Sequence, residues 1–178
     1  MSSAGAGAGA GAARVVEVLH TNGKTICTAE SLTGGALASA LVDIAGASTV
    51  FAGGVTTYSL EAKRAVLGFS ETELAHGAVS AEVAAHMAQR VRKLFGTDYA
   101  LSTTGVAGPG PHRGVAEGTV WLGFASKTES GAISVDLAGV KGSSTSASAR
   151  NLIRAAAVTA ALDLVFNQTV FAGLHPQT

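Results

Sequence analysis

Short apolar runs of strand character alternate with helix-patterned stretches along nearly the whole chain, which restricts it to a few layered folds. Thr25–Ala29, Thr49–Tyr58, Asp98–Thr103, Gly118–Ala125 and Ala132–Leu137 read as strands. Between them, Ala13–His20, Thr33–Ile44, Ser59–Leu67 and Ala149–Val165 read as helices, with Ser70–His76 a short helical turn stopped by Gly77. The strongest helical signal follows Ser80, an N-cap for a stripe of Val83, Ala84, Met87, Val91 and Leu94. The last two strands are separated only by a polar turn, so they should pair as an antiparallel hairpin. Strands linked by helices and then a hairpin predict an α/β protein, a three-layer α/β/α sandwich with a mixed β-sheet. Gly53-Gly54 inside the second strand marks a place where backbone passes close to a neighbour.

At 178 residues the chain is long enough for one domain with a substantial core. Twelve basic and twelve acidic side chains balance to zero net charge, which argues against nucleic-acid binding through counterion release. No stretch is long and apolar enough to suggest a membrane span. The single cysteine, Cys27, has no internal disulfide partner and reads as a small buried strand residue in a reducing, cytoplasmic setting. The five histidines show no metal-ligand spacing, so neither a metal nor another cofactor is expected. His112 is the one to watch, because it falls on a Gly/Pro-rich loop, and Trp121 on its apolar strand suits the core or an oligomer contact. The Ala/Gly alternation near the N-terminus predicts a flexible tail over residues 1–12, a domain over 13–168 and a C-terminal tail over 169–178.

The chemistry concentrates where the first strand hands over to a helix, at Thr28-Ala29-Glu30-Ser31-Leu32-Thr33-Gly34-Gly35. A hydroxyl followed by two glycines at such a turn can present a nucleophile or hold an anion. In α/β proteins ligands bind at the carboxyl ends of strands. The Ser31 turn, the Tyr58–Lys63 segment and the Thr103-Thr104-Gly105 loop all follow strands and should therefore meet. No Ser-His-Asp order and no Gly-x-Ser-x-Gly motif is present, which leaves Lys63 as the available base for Ser31. Spacing alone leaves two readings of each residue open: Ser31 as nucleophile or helix N-cap, Lys63 as desolvated base or solvated surface lysine.

Five motifs occur in one order: Ala29-Glu30-Ser31-Leu32-Thr33-Gly34-Gly35, Gly46-Ala47-Ser48, Gly54-Val55-Thr56-Thr57-Tyr58-Ser59 with Lys63, Gly77-Ala78-Val79-Ser80, and Thr104-Gly105-Val106-Ala107-Gly108-Pro109. Over roughly residues 14–165 the sequence resembles the CinA C-terminal domain family, whose characterised members are nicotinamide mononucleotide (NMN) deamidases. The resemblance implies hydrolysis of the NMN carboxamide to nicotinate mononucleotide and ammonia without a metal, in a cytosolic homo-oligomer of two or more subunits. The larger family proteins carry a further N-terminal nucleotide-processing domain, for which this chain has no room.

Carried over residue by residue, the resemblance makes Ser31 the nucleophile or its closest participant, with Lys63 activating it. Tyr58 would orient Lys63 or the amide, and Thr104 and Gly105 would lie beside the substrate and stabilise its oxyanion. Gly34 and Gly35, with Thr33, suit a phosphate or the oxyanion, while Glu30 would hold ribose hydroxyls or pair with a cation. Arg150 becomes the candidate for the substrate phosphate, within the retained Arg150-Asn151-Leu152-Ile153-Arg154. The chain departs from the family pattern at Ser148-Ala149 in a Ser-rich stretch, at Gly110-Pro111-His112-Arg113-Gly114, and at Leu60. These departures bear on substrate choice, and they keep two other readings in view. One is an amidase for another small carboxamide; the other is a non-catalytic nucleotide-binding or interaction module on the same fold.

Overall fold

A computed structural model describes residues 3–140 and 146–173. The elements run α1 (Ser3–Thr21), β1 (Ile26–Glu30), α2 (Ala36–Val42), a 3-10 turn at Ala47–Thr49, β2 (Phe51–Thr56) and α3 (Leu60–Leu67). They continue with α4 (Ala81–Phe95), β3 (Tyr99–Gly105), β4 (Thr119–Ala125), β5 (Ser130–Asp136) and α5 (Ser146–Gly173). One five-stranded sheet has the order β2-β1-β3-β4-β5. β1 pairs in parallel with both β2 and β3, whereas β3–β4 and β4–β5 are antiparallel. The expected mixed sheet and its closing hairpin are therefore present.

Two apolar layers flank the sheet. On one face α1, α2 and α5 bury Val15, Leu19, Leu37, Leu41, Ile153 and Leu162. On the other, Met87 and Val91 of α4 pack with Leu67, Phe69, Cys27 and Ala29. β1 is buried at every residue because it is central and covered on both sides. Close approach at β2 explains its paired glycines. A Cβ on Gly54 would run into the Thr28 side chain, and one on Gly53 into the Phe95 ring. Among the described residues no helix is long and apolar enough to cross a membrane.

Four readings of the sequence need correction, two of them at the ends of the domain. The segment over 3–12 is not a tail: α1 begins at Ser3 and continues unbroken into the expected helix. Ala12 is fully buried, and a Cβ on Gly11 would lie 3.3 Å from Leu162, so the small residues bring α1 close against α5. Each glycine costs a helix roughly 1 kcal/mol, and packing against α5 offsets it. At the other end α5 runs past residue 169 to Gly173, with Thr169 buried; residues 174–178 lie outside the described part. The Ser-rich stretch falls outside it over 142–145. Ser70–His76 forms turns rather than a helix, and α2 starts three residues later than expected, after the Ser31 turn.

Candidate active site

The three parallel strands end on one edge of the sheet, and the chain turns in opposite directions after β1 and β2. This is the crevice where open α/β sheets bind ligands. A cleft of about 440 Å³ opens there, with Ser31, Lys63 and Tyr58 on one side and Thr104, Gly105 and the Gly108–Arg113 loop on the other. Arg150 of α5 closes one end.

Lys63 reaches the cleft because α3 is set by a clear start signal. Ser59 caps it, accepting from Ala62 N–H at 3.0 Å, and Gly68 ends it in a left-handed conformation. One turn inside, Lys63 is only 1% exposed. Its Nζ donates to the Thr57 carbonyl at 2.6 Å and to Ser31 Oγ at 3.0 Å. Thr57 is itself tied to β1, since its N–H donates to the Glu30 carbonyl at 2.9 Å. Burial lowers the pKa of the Lys63 ammonium from 10.5 to about 8. A neutral amine is therefore accessible near physiological pH, already in contact with the hydroxyl it would deprotonate. Of the two readings open for each residue, Ser31 is not the helix cap and Lys63 is not a solvated surface residue.

The cap of α2 is Glu30. Its buried carboxylate accepts from the N–H groups of Gly35, Leu37 and Ala38 at 2.8–3.0 Å. This corrects the expectation that Glu30 would hold ribose or pair with a cation, because its oxygens are spent on the helix N-terminus. The expected anion site at Gly34 and Gly35 is removed as well, because Gly35 N–H is taken by this carboxylate and Gly34 N–H donates to the Ser31 carbonyl at 3.1 Å. Both glycines have positive φ, 63° and 96°, which the tight passage from Ser31 into α2 requires. Thr33 is buried with its hydroxyl against that of Thr103 at 2.7 Å, again structural rather than substrate-facing.

Tyr58 lines the cleft but does not orient Lys63. Its hydroxyl accepts from Arg150 at 2.8 Å, and the same guanidinium donates to the Gly108 carbonyl. Arg150 thus spans the cleft from the Tyr58 side to the Gly/Pro loop. Thr104 donates its hydroxyl to the Ala78 carbonyl at 2.6 Å. Strand alternation separates the two expected oxyanion donors. Val106 N–H bonds to Thr119 on β4, and Thr104 lies opposite Trp121 in the same ladder, so its N–H also faces β4. Gly105 N–H faces the β1 side, where β1 has already ended beside Ser31. Gly105 is therefore the backbone donor suited to an oxyanion, and Thr104 is not.

His112 and Arg113 do reach the cleft on the Gly/Pro-rich loop, Arg113 with φ 49°. Glu117 holds this loop by accepting from Gly110 N–H at 2.6 Å. Cys27 is buried, its thiol pushed up to about 11 by burial, consistent with a packing residue. Among the described residues no three His, Cys, Asp or Glu side chains gather where they could hold a metal ion. Two contributors escaped the sequence reading, the Thr57 carbonyl and Arg154. Arg154 lies four residues after Arg150, hence on the same face of α5, and that spacing was the available signal.

Comparison with known proteins places this geometry. The family model described as the CinA C-terminal domain matches residues 10–169. A CinA-like protein from Frankia casuarinae is 43% identical over 161 residues, covering 90% of this chain and 35% of the relative. A competence-damage inducible protein from Caldanaerobacter subterraneus is 52% identical over 115 residues, covering 62% of this chain and 27% of its own length. The chain thus spans about a third or less of the curated relatives it matches. Among solved structures, a CinA superfamily protein from Klebsiella pneumoniae superposes with a TM-score of 0.82 at 31% identity, covering 92% of this chain and 98% of the other. A competence/damage inducible protein from Agrobacterium tumefaciens gives 0.81 at 32% identity, covering 91% and 96%.

Proposed function

Because this chain belongs to the CinA C-terminal domain family, we propose that it is an amidohydrolase converting NMN to nicotinate mononucleotide and ammonia. The observation that carries the reading is the buried Lys63 Nζ held 3.0 Å from Ser31 Oγ. Neutral Lys63 takes the Ser31 proton as Oγ attacks the carboxamide carbon, and the carbonyl oxygen becomes an oxyanion facing Gly105 N–H. Collapse breaks the C–N bond, with the Lys63 proton passing to the nitrogen so that ammonia leaves and an ester to Ser31 remains. Water, losing a proton to Lys63, attacks that ester. The second collapse returns the Lys63 proton to Ser31 and frees the carboxylic acid, which loses its remaining proton to solvent as the carboxylate. No step requires a metal.

Arg150 is the group suited to the substrate phosphate, since its fork matches a phosphate and already sits at the end of the cleft. The substrate would displace Tyr58 or the Gly108 carbonyl from the guanidinium. The test is incubation of the chain with NMN, with ammonia and nicotinate mononucleotide quantified against Ser31→Ala. Both products should form and be lost in the variant. NMN-induced stabilisation with no ammonia released would instead identify a binding module. Turnover of nicotinamide or its riboside in preference to NMN would identify a different amidase.

A further inference from the structure

The Ser31 turn is held from outside by a residue that touches neither Ser31 Oγ nor Lys63. Arg154 donates from Nε to the Leu32 carbonyl at 3.0 Å and from Nη2 to the Thr33 carbonyl at 2.7 Å. Its remaining nitrogen, Nη1, donates to Asn151 on the same helix at 3.2 Å. We propose that Arg154 is a positioning residue for catalysis, a two-pronged clamp from α5 that fixes the turn carrying Ser31 so that its Oγ stays against Lys63 Nζ. The inference rests on the Ser31–Lys63 reading of the site.

The backbone around Ser31 explains why a clamp is needed at this point. Upstream, the turn is anchored by the sheet, where Ser31 N–H donates to the Thr103 carbonyl at 2.9 Å. Downstream, the Glu30 carboxylate gathers the N–H groups at the start of α2. Between these anchors lie Leu32 and Thr33, followed by two left-handed glycines that resist distortion poorly. Arg154 takes the carbonyls of those two intervening residues. Its planar guanidinium offers parallel donors in a fixed fork, a geometry that lysine cannot reproduce. The fit is close, because a Cβ added to Gly34 would lie 3.4 Å from Nη2. Arg154 thus holds the carbonyls of Leu32 and Thr33, and Glu30 the N–H groups that follow them at the start of α2.

The test uses Arg154→Ala and Arg154→Lys, the second retaining charge without the fork and guarding against loss of folding in the first. Steady-state NMN hydrolysis is measured beside the rate at which a fluorophosphonate probe labels Ser31, which reports serine reactivity without NMN. A misplacement of about 1 Å costs roughly 100-fold, so kcat and labelling should fall together by about 10- to 100-fold, with KM little changed. Methylguanidinium added to Arg154→Ala should restore part of both rates, which a variant merely damaged in its fold would not allow. Unchanged labelling in both variants, or a loss confined to KM, overturns the clamp. Wild-type chain that labels at Ser31 but leaves NMN intact, with labelling lost in the variants, keeps the clamp and overturns the substrate. Wild-type chain that does neither removes the dyad and this inference together.

Discussion

The two walls of the cleft are built in opposite ways. The Ser31 wall rests on a buried base: Lys63 and Glu30 are each 1% exposed, and Lys63, Glu30 and Arg154 each hold backbone groups beside Ser31. The facing wall, from Gly105 to Gly118, carries exposed Pro109, His112 and Arg113 and is tied mainly through Arg150 and Glu117. Proton transfer tolerates little positional error, whereas recognition of a substrate can be altered by exchanging exposed residues on a loop. Under the proposed amidohydrolase reading, the contrast would put rate on the first wall and substrate preference on the second.

The sharpest way to break that division is Lys63→Met. Activity should fall by about 1,000-fold or more, as expected for a group that moves protons in both halves of the reaction. The fold should survive, because a buried apolar side chain avoids the desolvation that depresses the Lys63 pKa. Loss of folding with loss of activity would make Lys63 structural. Wild-type kcat should rise with pH through about 8 as the amine becomes neutral. Stability moves the same way. Between about 8 and 10.5 the unfolded chain binds a proton that the folded chain has released, so unfolding free energy from this group increases with pH. Lys63→Met should lack that increment, which paired melting curves at pH 8 and pH 10 would show.

Arg150→Ala comes next, and it probes the joint between the walls. Losing a charge-assisted contact to the substrate phosphate, worth roughly 1.5–3 kcal/mol, should raise KM about 10- to 100-fold and leave kcat closer to wild type. The same variant should act on nicotinamide riboside, which lacks the phosphate, as well as the wild-type chain does. An equal penalty on both substrates would show that Arg150 serves only to bridge Tyr58 and Gly108.

Much of this organisation was legible in the sequence, and the misreadings share a cause. The strand–turn–helix at Ser31, the capped α3 carrying Lys63 and the loop after Thr104 are local patterns, and locality is what a sequence displays. Glu30 was misread because an acidic residue at a strand end has the same appearance whether it faces a ligand or folds back onto the next helix. Three N–H groups five to eight residues away decided the matter. The N-terminal Ala/Gly stretch was misread because small residues signal low complexity by composition and close helix packing by context. Only the distant Leu162 distinguishes the two. Arg154 was visible by its spacing from Arg150, but its partners lie more than 120 positions away.

Glu117→Gln should have a moderate effect confined to the facing wall. Its carboxylate accepts Gly110 N–H and fills the space beside Gly108, so the neutral amide weakens one charge-assisted bond. KM should rise by about 3- to 10-fold, in line with roughly 1 kcal/mol, with kcat and the Ser31 labelling rate unchanged. A fall in kcat would mean that the loop positions the oxyanion donor as well as the substrate, and the division between walls would have to move to Gly105.

The smallest effect, and the finest discrimination, belongs to Tyr58→Phe. Tyr58 is 61% exposed and gives Arg150 one neutral acceptor, so its loss should change KM by about 2- to 5-fold at most. The informative readout is the pH profile. If the hydroxyl acts only through Arg150, the midpoint of kcat near pH 8 stays where burial of Lys63 puts it. A midpoint displaced in Tyr58→Phe would mean that the phenol reaches the dyad once substrate has drawn Arg150 away. Tyr58 would then act on the rate as well as on Arg150, on the strength of a contact made only in the complex.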